Sequence, residues 1–312
     1  MDFLANYFGS LNPMSFLSAL PGNIAQGIIW GLMGLGVFLT FKLLNFADLS
    51  VDGSFATGGA VTAVMLINGC PVWATIIVAI LAGLAAGLVT GLLHTLLGIP
   101  DILAGILTQI ALYSINLNIM GKSNLPISYR NYTLIVSASN INMAILVGLG
   151  ICAVVIAAMY WYFGTEQGST IRSTGSNPAM SKAQGININF TKVIALALSN
   201  GLVALSGSLF AQYQGFADIN MGRGAIVIGL AAVIIGEVLG EAIFRKHMNF
   251  IIRMLFVIVG GILYYIAMGI VLWLKMPTDD TKLFTAIIVA IFLAVPYLSL
   301  IHISEPTRLQ LI

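Results

Sequence analysis

Charge is what this sequence has least of. Only 8% of its 312 residues are Asp, Glu, Lys or Arg, whereas 59% are apolar, and the formal net charge is +2. Soluble domains carry about 25% charged residues, so the composition excludes an ordinary soluble domain. Because the net charge is so small, the sequence also gives no electrostatic reason to expect a nucleic-acid partner.

Residues that carry chemistry are scarce as well. The two cysteines, Cys70 and Cys152, share no motif spacing, so we interpret them as unpaired small apolar residues. No second His, Cys or carboxylate is spaced to bind a metal together with His94. The sequence contains no phosphate-binding loop of the form G-x-x-x-x-G-K-[ST], no G-x-S-x-G and no H-E-x-x-H. We therefore expect no enzyme, no cofactor and no metal site.

Long apolar runs are what the sequence has in abundance. Lipid requires helices of roughly 20 apolar residues, because every backbone polar group must be satisfied within the chain. The runs predict an all-α, polytopic transmembrane helical bundle of eight or nine segments, and the 33 glycines suit close helix packing. We treat residues 1–297 as one transmembrane domain. The predicted segments are 22–41, 55–69, 72–97, 102–119, 143–163, 190–212, 224–240, 249–273 and 283–297.

Two of these segments, 55–69 and 224–240, are short for a full span. Each follows a polar stretch that contains glycine, "NFADLSVDGS" before the first and "GFADINMGRG" before the second. We therefore expect half-helices or re-entrant segments here.

Two parts of the sequence are similar at an offset of 170 residues. Residues 31–49 align with 201–219 without a gap and are identical at seven of 19 positions, including the Phe-Ala-Asp triplets that end at Asp48 and Asp218. The second copy comes five segments after the first, so the copies are inverted in the membrane if every segment crosses it. Inverted repeats are a common transporter architecture, with the solute path at the repeat interface.

Ionisable residues inside apolar segments are functional candidates, because each costs at least about 2.5 kcal/mol near the bilayer centre. Glu237 also has a plainer interpretation, as part of a helix end beside the basic "FRKH" that follows. Ser114, Asn116 and Asn118 alternate along the chain and favour no single helical face, so we interpret them as marking the outer boundary. The candidate residues of a translocation pathway are Asn45, Asp48, Asp52, Asp218 and Glu237.

One stretch in the middle of the chain is polar, "GSTIRSTGSNPAMSKAQGIN" from Gly168 to Asn187. Asn177 followed by Pro178 is a favourable helix start, and Gly185 can end a helix in a left-handed conformation. Such a helix is too short and too polar to span a bilayer. If the loop is cytoplasmic, that side carries seven Lys and Arg residues before residue 298, against five on the other side. The helix is then either a surface element without a role or a rigid knob that contacts another protein.

The same stretch carries a family resemblance. Together with the following "TKVIALALSNGLVALSGSLFAQYQGFAD", it resembles the permease subunits of bacterial ABC importers of the branched-chain amino acid and ribose class. The early "NFADLSVDGSFATGGAV" resembles the variant of that family associated with aromatic amino-acid uptake. The resemblance extends from about residue 20 to 297, and its two motifs are fairly specific together and weak apart.

The resemblance implies a transmembrane permease of the bacterial inner membrane that binds no nucleotide itself. Two copies would form the solute pathway as a homodimer, served by an extracytoplasmic substrate-binding protein and driven by cytoplasmic ABC ATPase subunits. A short coupling helix in the loop 164–190 would contact the ATPase. The coupling residues carried over by position are Arg172, Ser173, Asn177, Pro178, Met180, Ala183 and Gly185.

The resemblance also implies import of a small solute, with an amino acid, and among these an aromatic one, favoured. The residues alone leave a second hypothesis open, an ion-coupled secondary transporter with inverted repeats. Protons or sodium would then drive transport through Asp48, Asp52, Asp218 or Glu237. The two hypotheses differ because only the importer needs a coupling helix, and only the secondary transporter needs an acidic residue that binds the ion.

The last residues are a separate case. "LSLIHISEPTR", from Leu298 to Arg308, matches one reading frame of a widely used sequencing adapter. We therefore interpret residues 298–312 as non-native and assign neither His302 nor Glu305 to a site.

Overall fold

The structure is a computed structural model that describes residues 13–128, 132, 134–244, 248–274, 283–284, 286–292 and 294. These residues form the predicted helical bundle, together with one short antiparallel pair of strands. The predicted segment 283–297 lies partly outside the described residues, and 298–312 lies wholly outside them. The elements are α1 Pro13–Val37, α2 Val51–Ile67, α3 Val72–Leu96, α4 Asp101–Met120, β1 Asn124–Pro126, α5 Ile141–Phe163, α6 Glu166–Ser176, α7 Pro178–Ala183, α8 Ile188–Gln214, β2 Phe216–Asp218, α9 Ala225–Phe244 and α10 Phe250–Trp273.

Seven helices within the described ranges are long and apolar enough to cross a membrane: α1, α3, α4, α5, α8, α9 and α10. Their bounds agree with the predicted segments to within a few residues, except that α1 starts earlier, at Pro13, and continues into a π-helical stretch, Phe38–Leu43. The prediction of a short helix is confirmed for α2, which has 17 residues. It is wrong for α9, which has 20 residues and reaches the length of a span. The chain is therefore a multi-pass membrane protein.

Helices α1 and α8, which carry the two copies of the repeat, lie at the centre of the bundle. Their most apolar stretches are 83% buried, whereas that of α5 is 22% buried and faces outward. The ring of Trp30 in α1 packs against Phe55 of α2 and Phe210 of α8, with centroid distances of 4.8 and 5.3 Å. The core of the protein is thus the junction of α1, α2 and α8.

Helix α2 packs directly against α8 through glycine. A Cβ atom at Gly58 would lie 2.0 Å from the carbonyl oxygen of Ala204, and a Cβ atom at Gly207 would lie 2.0 Å from that of Phe55. Only a hydrogen atom fits at these distances, so the two backbones are in contact, as small residues allow in membrane helices. This contact keeps the short α2, which is buried along most of its length, in the middle of the bundle.

Strands β1 and β2 pair in antiparallel orientation, with Asn124 opposite Asp218 and Pro126 opposite Phe216. Directly after β1, the backbone N–H of Ile127 donates to the carbonyl oxygen of Gly215 at 2.7 Å. These bonds tie the segment that follows α4 to the turn that follows α8. The polar turn that ends the second copy of the repeat is therefore held by the backbone of a neighbouring loop.

Candidate functional site

Each copy of the repeat ends in a polar turn, one after α1 and one after α8. The two turns begin in the same backbone conformation. Asn45 after α1 and Gly215 after α8 lie 170 positions apart, and both are left-handed, with φ of 55° and 76°. Glycine adopts this conformation freely and asparagine tolerates it, and it is a common way to end a helix. Asn45, predicted as a pathway residue, thus shapes the turn through its backbone.

The same equivalence holds three residues further along each turn. Asp48 Oδ1 accepts a hydrogen bond from the backbone N–H of Ser50 at 2.9 Å. Asp218 Oδ1 accepts one from the backbone N–H of Asn220 at 2.7 Å. Short-range bonds of this type are how aspartate stabilises turns. The repeat predicted from the sequence is therefore also a repeat of local structure.

The two copies run in opposite directions. Gly175 at the end of α6 packs so closely on the end of the first copy that its Cβ would lie 1.8 Å from the carbonyl oxygen of Leu43. Helix α8 begins at Ile188, directly after α7, so its start lies on that same side. The turn after α1 and the turn after α8 consequently enter the bundle from opposite sides. This is the arrangement of an inverted repeat.

The carboxylate of Asp48 belongs to a buried hydrogen-bonded cluster. Nδ2 of Asn200, in the middle of α8, donates to Asp48 Oδ2 at 2.8 Å, and the hydroxyl of Ser50 donates to Asp48 Oδ1 at 2.5 Å. The hydroxyl of Ser54 donates to Oδ1 of Asn200 at 2.6 Å. All four residues are at most 3% exposed, so these polar groups depend on one another for hydrogen bonding. Asn200 was not predicted as a site residue from the sequence, although an amide in the middle of an apolar run was a signal for it.

Asp52 joins the two helices that follow the two turns. It lies in the first turn of α2, and its carboxylate accepts hydrogen bonds from the backbone N–H groups of Gly224 and Ile226, both at 2.9 Å. Those groups form the start of α9, where unpaired N–H groups and the helix dipole favour a negative charge. Asp52 therefore connects the start of α2 with the start of α9.

A cavity of about 330 Å³ lies beside Asp52. Its walls are α2, α4 and the loop between β2 and α9, so it lies between the segments that follow the two repeat copies. Transporters with inverted repeats place the solute path at the repeat interface. The polar residues that line the cavity are Asp52, Gln109, Tyr113, Asn116, Asn220 and Arg223.

Asn116 has a different position from the one its sequence context suggested. We interpreted it with Ser114 and Asn118 as a marker of the outer boundary, but Asn116 is fully buried and lines the cavity, whereas the other two are exposed. Neither its Nδ2 nor its Oδ1 has a hydrogen-bond partner among the described residues. The boundary interpretation was therefore wrong for Asn116, because helical rotation separates it from its two neighbours.

The other two acidic candidates have partners elsewhere. Glu237 on α9 forms ion pairs with Lys42 at 2.8 Å and Arg253 at 3.2 Å. These partners differ from the expected "FRKH" stretch, of which residues 245–247 lie outside the described part of the chain. Asp218 accepts a hydrogen bond from the side-chain amide of Asn124 at 3.3 Å. The structure thus brings Asp48 and Asp52 to the start of α2 and places Glu237 in an ion pair.

The predicted short helix is α7. The side chain of Asn177 accepts a hydrogen bond from the backbone N–H of Met180 at 3.0 Å, and Pro178 occupies the first turn. Gly185, with φ of 83°, follows the end of the helix. Met180 is 58% exposed, and Ala183 is exposed as well. The result is a short helix with fixed ends and an apolar residue open to solvent.

Helix α6, directly before α7, was not predicted from the sequence. The guanidinium of Arg172 donates to the carbonyl oxygen of Phe163 at 2.9 Å and lies 6.0 Å from the ring centroid of Phe250. The hydroxyl of Ser173 donates to the carbonyl oxygen of Thr170 at 3.0 Å. Both predicted coupling residues therefore make contacts within their own chain, and those of Arg172 hold α6 against α5 and α10.

The described residues contain seven spans, two inverted polar turns and a cavity beside them, and this combination is that of a multi-pass membrane transporter. Comparison with known proteins identifies its family: residues 22–296 match the family described as branched-chain amino acid transport system / permease component. The chain belongs to this family. It is therefore a permease component located in the bacterial cell (inner) membrane, and its family is one of transporters rather than enzymes.

Curated relatives include permeases for different solutes. The tyrosine transport system permease protein of Clostridioides difficile is 42% identical over 279 residues, which cover 89% of this chain and 91% of that protein. The D-allose transport system permease protein of Escherichia coli is 27% identical over 261 residues, which cover 82% and 77%. These matches give no support to an ion-coupled secondary transporter.

One solved structure shows the same fold. PsaBC from Streptococcus pneumoniae in complex with Fab matches with a TM-score of 0.52 over 94% of both chains, at 16% sequence identity. At this identity the similarity concerns the arrangement of helices and no more.

Proposed function

We propose that this chain imports an aromatic amino acid as the membrane-spanning homodimer of an ABC importer. Separate cytoplasmic subunits hydrolyse ATP, and an extracytoplasmic binding protein delivers the solute. The observation that carries the proposal is the exposed helix α7, which α6 connects to the end of α1 through the contact between Gly175 and Leu43. A secondary transporter has no need of such a helix.

Helix α7 is the part of the chain that docks on the ATPase. Met180 and Ala183 form the apolar part of the contact, since a short helix with exposed apolar residues suits a groove on a partner. Asn177, Pro178 and Gly185 fix the ends of this helix. Arg172 and Ser173 act indirectly, by holding α6 in place.

Motion of α7 reaches the solute pathway through α6. Because the backbone of Gly175 lies against Leu43, a shift of α6 displaces the turn that contains Asn45 and Asp48. Asp48 is bound to Asn200 of α8, and Asp52 is bound to the start of α9. A displacement of this turn therefore affects both copies of the repeat. We assign Asn45, Asp48 and Asp52 to the pathway, where they connect the two copies. Asp218 stabilises the turn after α8. Glu237 holds α9 in place through its ion pairs.

An aromatic amino acid is the favoured solute. The support comes from the tyrosine permease of Clostridioides difficile, which is 42% identical over nearly the full length of both chains, whereas the D-allose permease is 27% identical. The polar lining of the cavity agrees with a charged or zwitterionic solute.

A homodimer accounts for the open side of the cavity. Ile110 and Tyr113 of α4, which line it, are 62% and 45% exposed in the single chain. A second copy that packs on α4 would complete the walls of the pathway, as the resemblance to dimeric permeases implies.

The test is co-purification with the ATP-binding subunit encoded beside this chain. In detergent, the wild-type chain and the ATPase should co-elute as a complex that contains two copies of each. The double substitution Met180→Asp with Ala183→Asp should abolish co-elution, because it places two negative charges on the apolar docking face.

The matched control is Ser169→Asp, which adds a charge to an exposed position on α6, outside α7. It should leave co-elution intact. Equal loss of the complex in both variants, or a wild-type chain that binds no ATPase and takes up solute with an ion gradient, would refute the proposal.

A further inference from the structure

We propose that the cavity between α2, α4 and the β2–α9 loop is a recognition site for the zwitterionic head of an α-amino acid, formed by Asn116, Arg223 and Asp52. This inference rests on the proposed function, because it names the site at which the permease holds its solute during passage. Nothing in the family description or in the names of the relatives assigns such a site.

Asn116 gives the strongest indication of a ligand. Its side chain is 0% exposed and lines the cavity, and neither its donor nor its acceptor has a partner among the described residues. A buried amide without hydrogen bonds is unfavourable, and a ligand in the cavity that supplies those hydrogen bonds would offset this cost. An amide offers both a donor and an acceptor. It therefore suits a ligand that has a carboxylate and an ammonium group close together.

The charges at the cavity match the two ends of such a ligand. Arg223 supplies a guanidinium at the β2–α9 loop, and this group binds carboxylates with two parallel hydrogen bonds. Asp52 supplies a carboxylate at the start of α2. Its two backbone bonds leave acceptor capacity for an ammonium group, because an ionised carboxylate can accept about four hydrogen bonds.

The size and the position of the cavity agree with this ligand class. A volume of about 330 Å³ is at the lower end of the range for small-molecule sites and suits a single amino acid. The rings and methyl groups of Tyr113 and Ile110 lie on the same wall and provide an apolar surface for a side chain. The cavity also adjoins the starts of α2 and α9, the two helices that follow the repeat copies and that Asp52 connects.

The experiment measures protection of a cysteine in the cavity. Gln109→Cys is introduced into a chain that also carries Cys70→Ser and Cys152→Ala, and the complex with its ATPase is reconstituted in nanodiscs. L-tyrosine should slow modification of position 109 by a thiol reagent. Tyramine, which lacks the carboxylate, and 3-(4-hydroxyphenyl)propionate, which lacks the ammonium group, should protect less. Equal protection by all three compounds, or none by tyrosine, would overturn the proposal.

Two further variants separate recognition from folding. Asn116→Leu keeps the approximate volume and removes the unpaired amide, so it should raise the melting temperature while it weakens protection by tyrosine about tenfold. Arg223→Gln should weaken protection by tyrosine and abolish its advantage over tyramine. Asn118→Leu, at an exposed position of the same helix, is the control and should preserve protection. Unchanged protection in Asn116→Leu would overturn the role of Asn116.

The outcomes also distinguish this inference from the proposed function. If the chain forms no complex with the ATPase but tyrosine still protects position 109 in the chain alone, the importer proposal is wrong and the proposed amino-acid site is supported. If the complex forms and transports tyrosine but tyrosine does not protect position 109, the proposed site is wrong and the importer proposal is supported.

Discussion

Asp48 and Asn200, 152 positions apart in the sequence, are joined by a hydrogen bond of 2.8 Å between Oδ2 and Nδ2. Asn200→Ala removes this bond and leaves the carboxylate buried with Ser50 as its remaining side-chain donor. We expect the free energy of unfolding to fall by about 1–3 kcal/mol, the cost of a buried polar group without its partner. Thermal unfolding of the purified chain in detergent measures the effect.

The control for this prediction is Asn118→Ala, which removes an exposed amide from α4. Its melting temperature should equal that of the wild type. If Asn200→Ala melts at the same temperature as this control, the buried cluster does not stabilise the fold.

Asp52 should stabilise the start of α9. Asp52→Ala removes the acceptor for the N–H groups of Gly224 and Ile226, at a cost of about 1 kcal/mol, as for other residues that cap a helix. Hydrogen exchange should speed up in the first turn of α9 and stay unchanged in α10. Glu166→Gln, at an exposed position of α6, serves as the control. Wild-type exchange rates at Gly224 and Ile226 would argue against this link.

Gly175 should transmit motion from α7 to the bundle. The Cβ of Gly175→Ala would lie 1.8 Å from the carbonyl oxygen of Leu43, so α6 must move away, at a cost of about 1–3 kcal/mol. We expect less solute transported per ATP hydrolysed in proteoliposomes. Gly150→Ala, on α5 with no atom within 4 Å of the new Cβ, is the matched control. A normal ratio of solute transport to ATP hydrolysis in Gly175→Ala would show that this contact does not couple hydrolysis to transport.

The ion pairs of Glu237 should contribute little to stability. The side chains of Lys42 and Arg253 are 43% and 34% exposed, and partly exposed pairs are worth about 0.2–1 kcal/mol. Glu237→Gln should therefore lower the melting temperature only slightly and leave uptake intact. Abolished uptake with normal folding would instead indicate that Glu237 binds an ion or the solute in the pathway.

The left-handed positions of the two turns should tolerate the same residues. Gly215→Asn should fold normally, because asparagine occupies the equivalent conformation at Asn45. Gly215→Ala should cost about 1–2 kcal/mol, since its Cβ is crowded in a left-handed backbone. The melting temperatures of the two variants provide the comparison, and the prediction is wrong if alanine is tolerated as well as asparagine.

The spans and the repeat could be predicted because their signals are local. The length of an apolar run decides whether it can cross a bilayer, and the Phe-Ala-Asp triplets mark equivalent positions without any knowledge of contacts. Helix α7 could be predicted for the same reason, since Asn177 and Gly185 mark its ends within a few residues. Helix α6 could not, because Ile171 is the only large apolar residue in its sequence and Arg172 holds it through contacts with Phe163 and Phe250.

The candidate site was predicted only in part. Asp48 and Asp52 were identified from their charge, because a carboxylate in an apolar region is conspicuous. Asn116 and Asn200 were missed or misread, because an amide next to other polar residues, or alone in a helix, does not reveal which way it faces. The role of Glu237 also depended on partners that the sequence does not indicate.

By itself, the sequence determined the class of this protein: a multi-pass helical membrane protein with an inverted repeat and a short polar helix in mid-chain. Those features depend on the composition and end signals of one segment at a time. Only the tertiary structure decided which polar groups meet, Asp48 with Asn200 and Asp52 with the start of α9. Residues that far apart are brought together by the packing of α2 against α8 and α9, and no local signal specifies that packing.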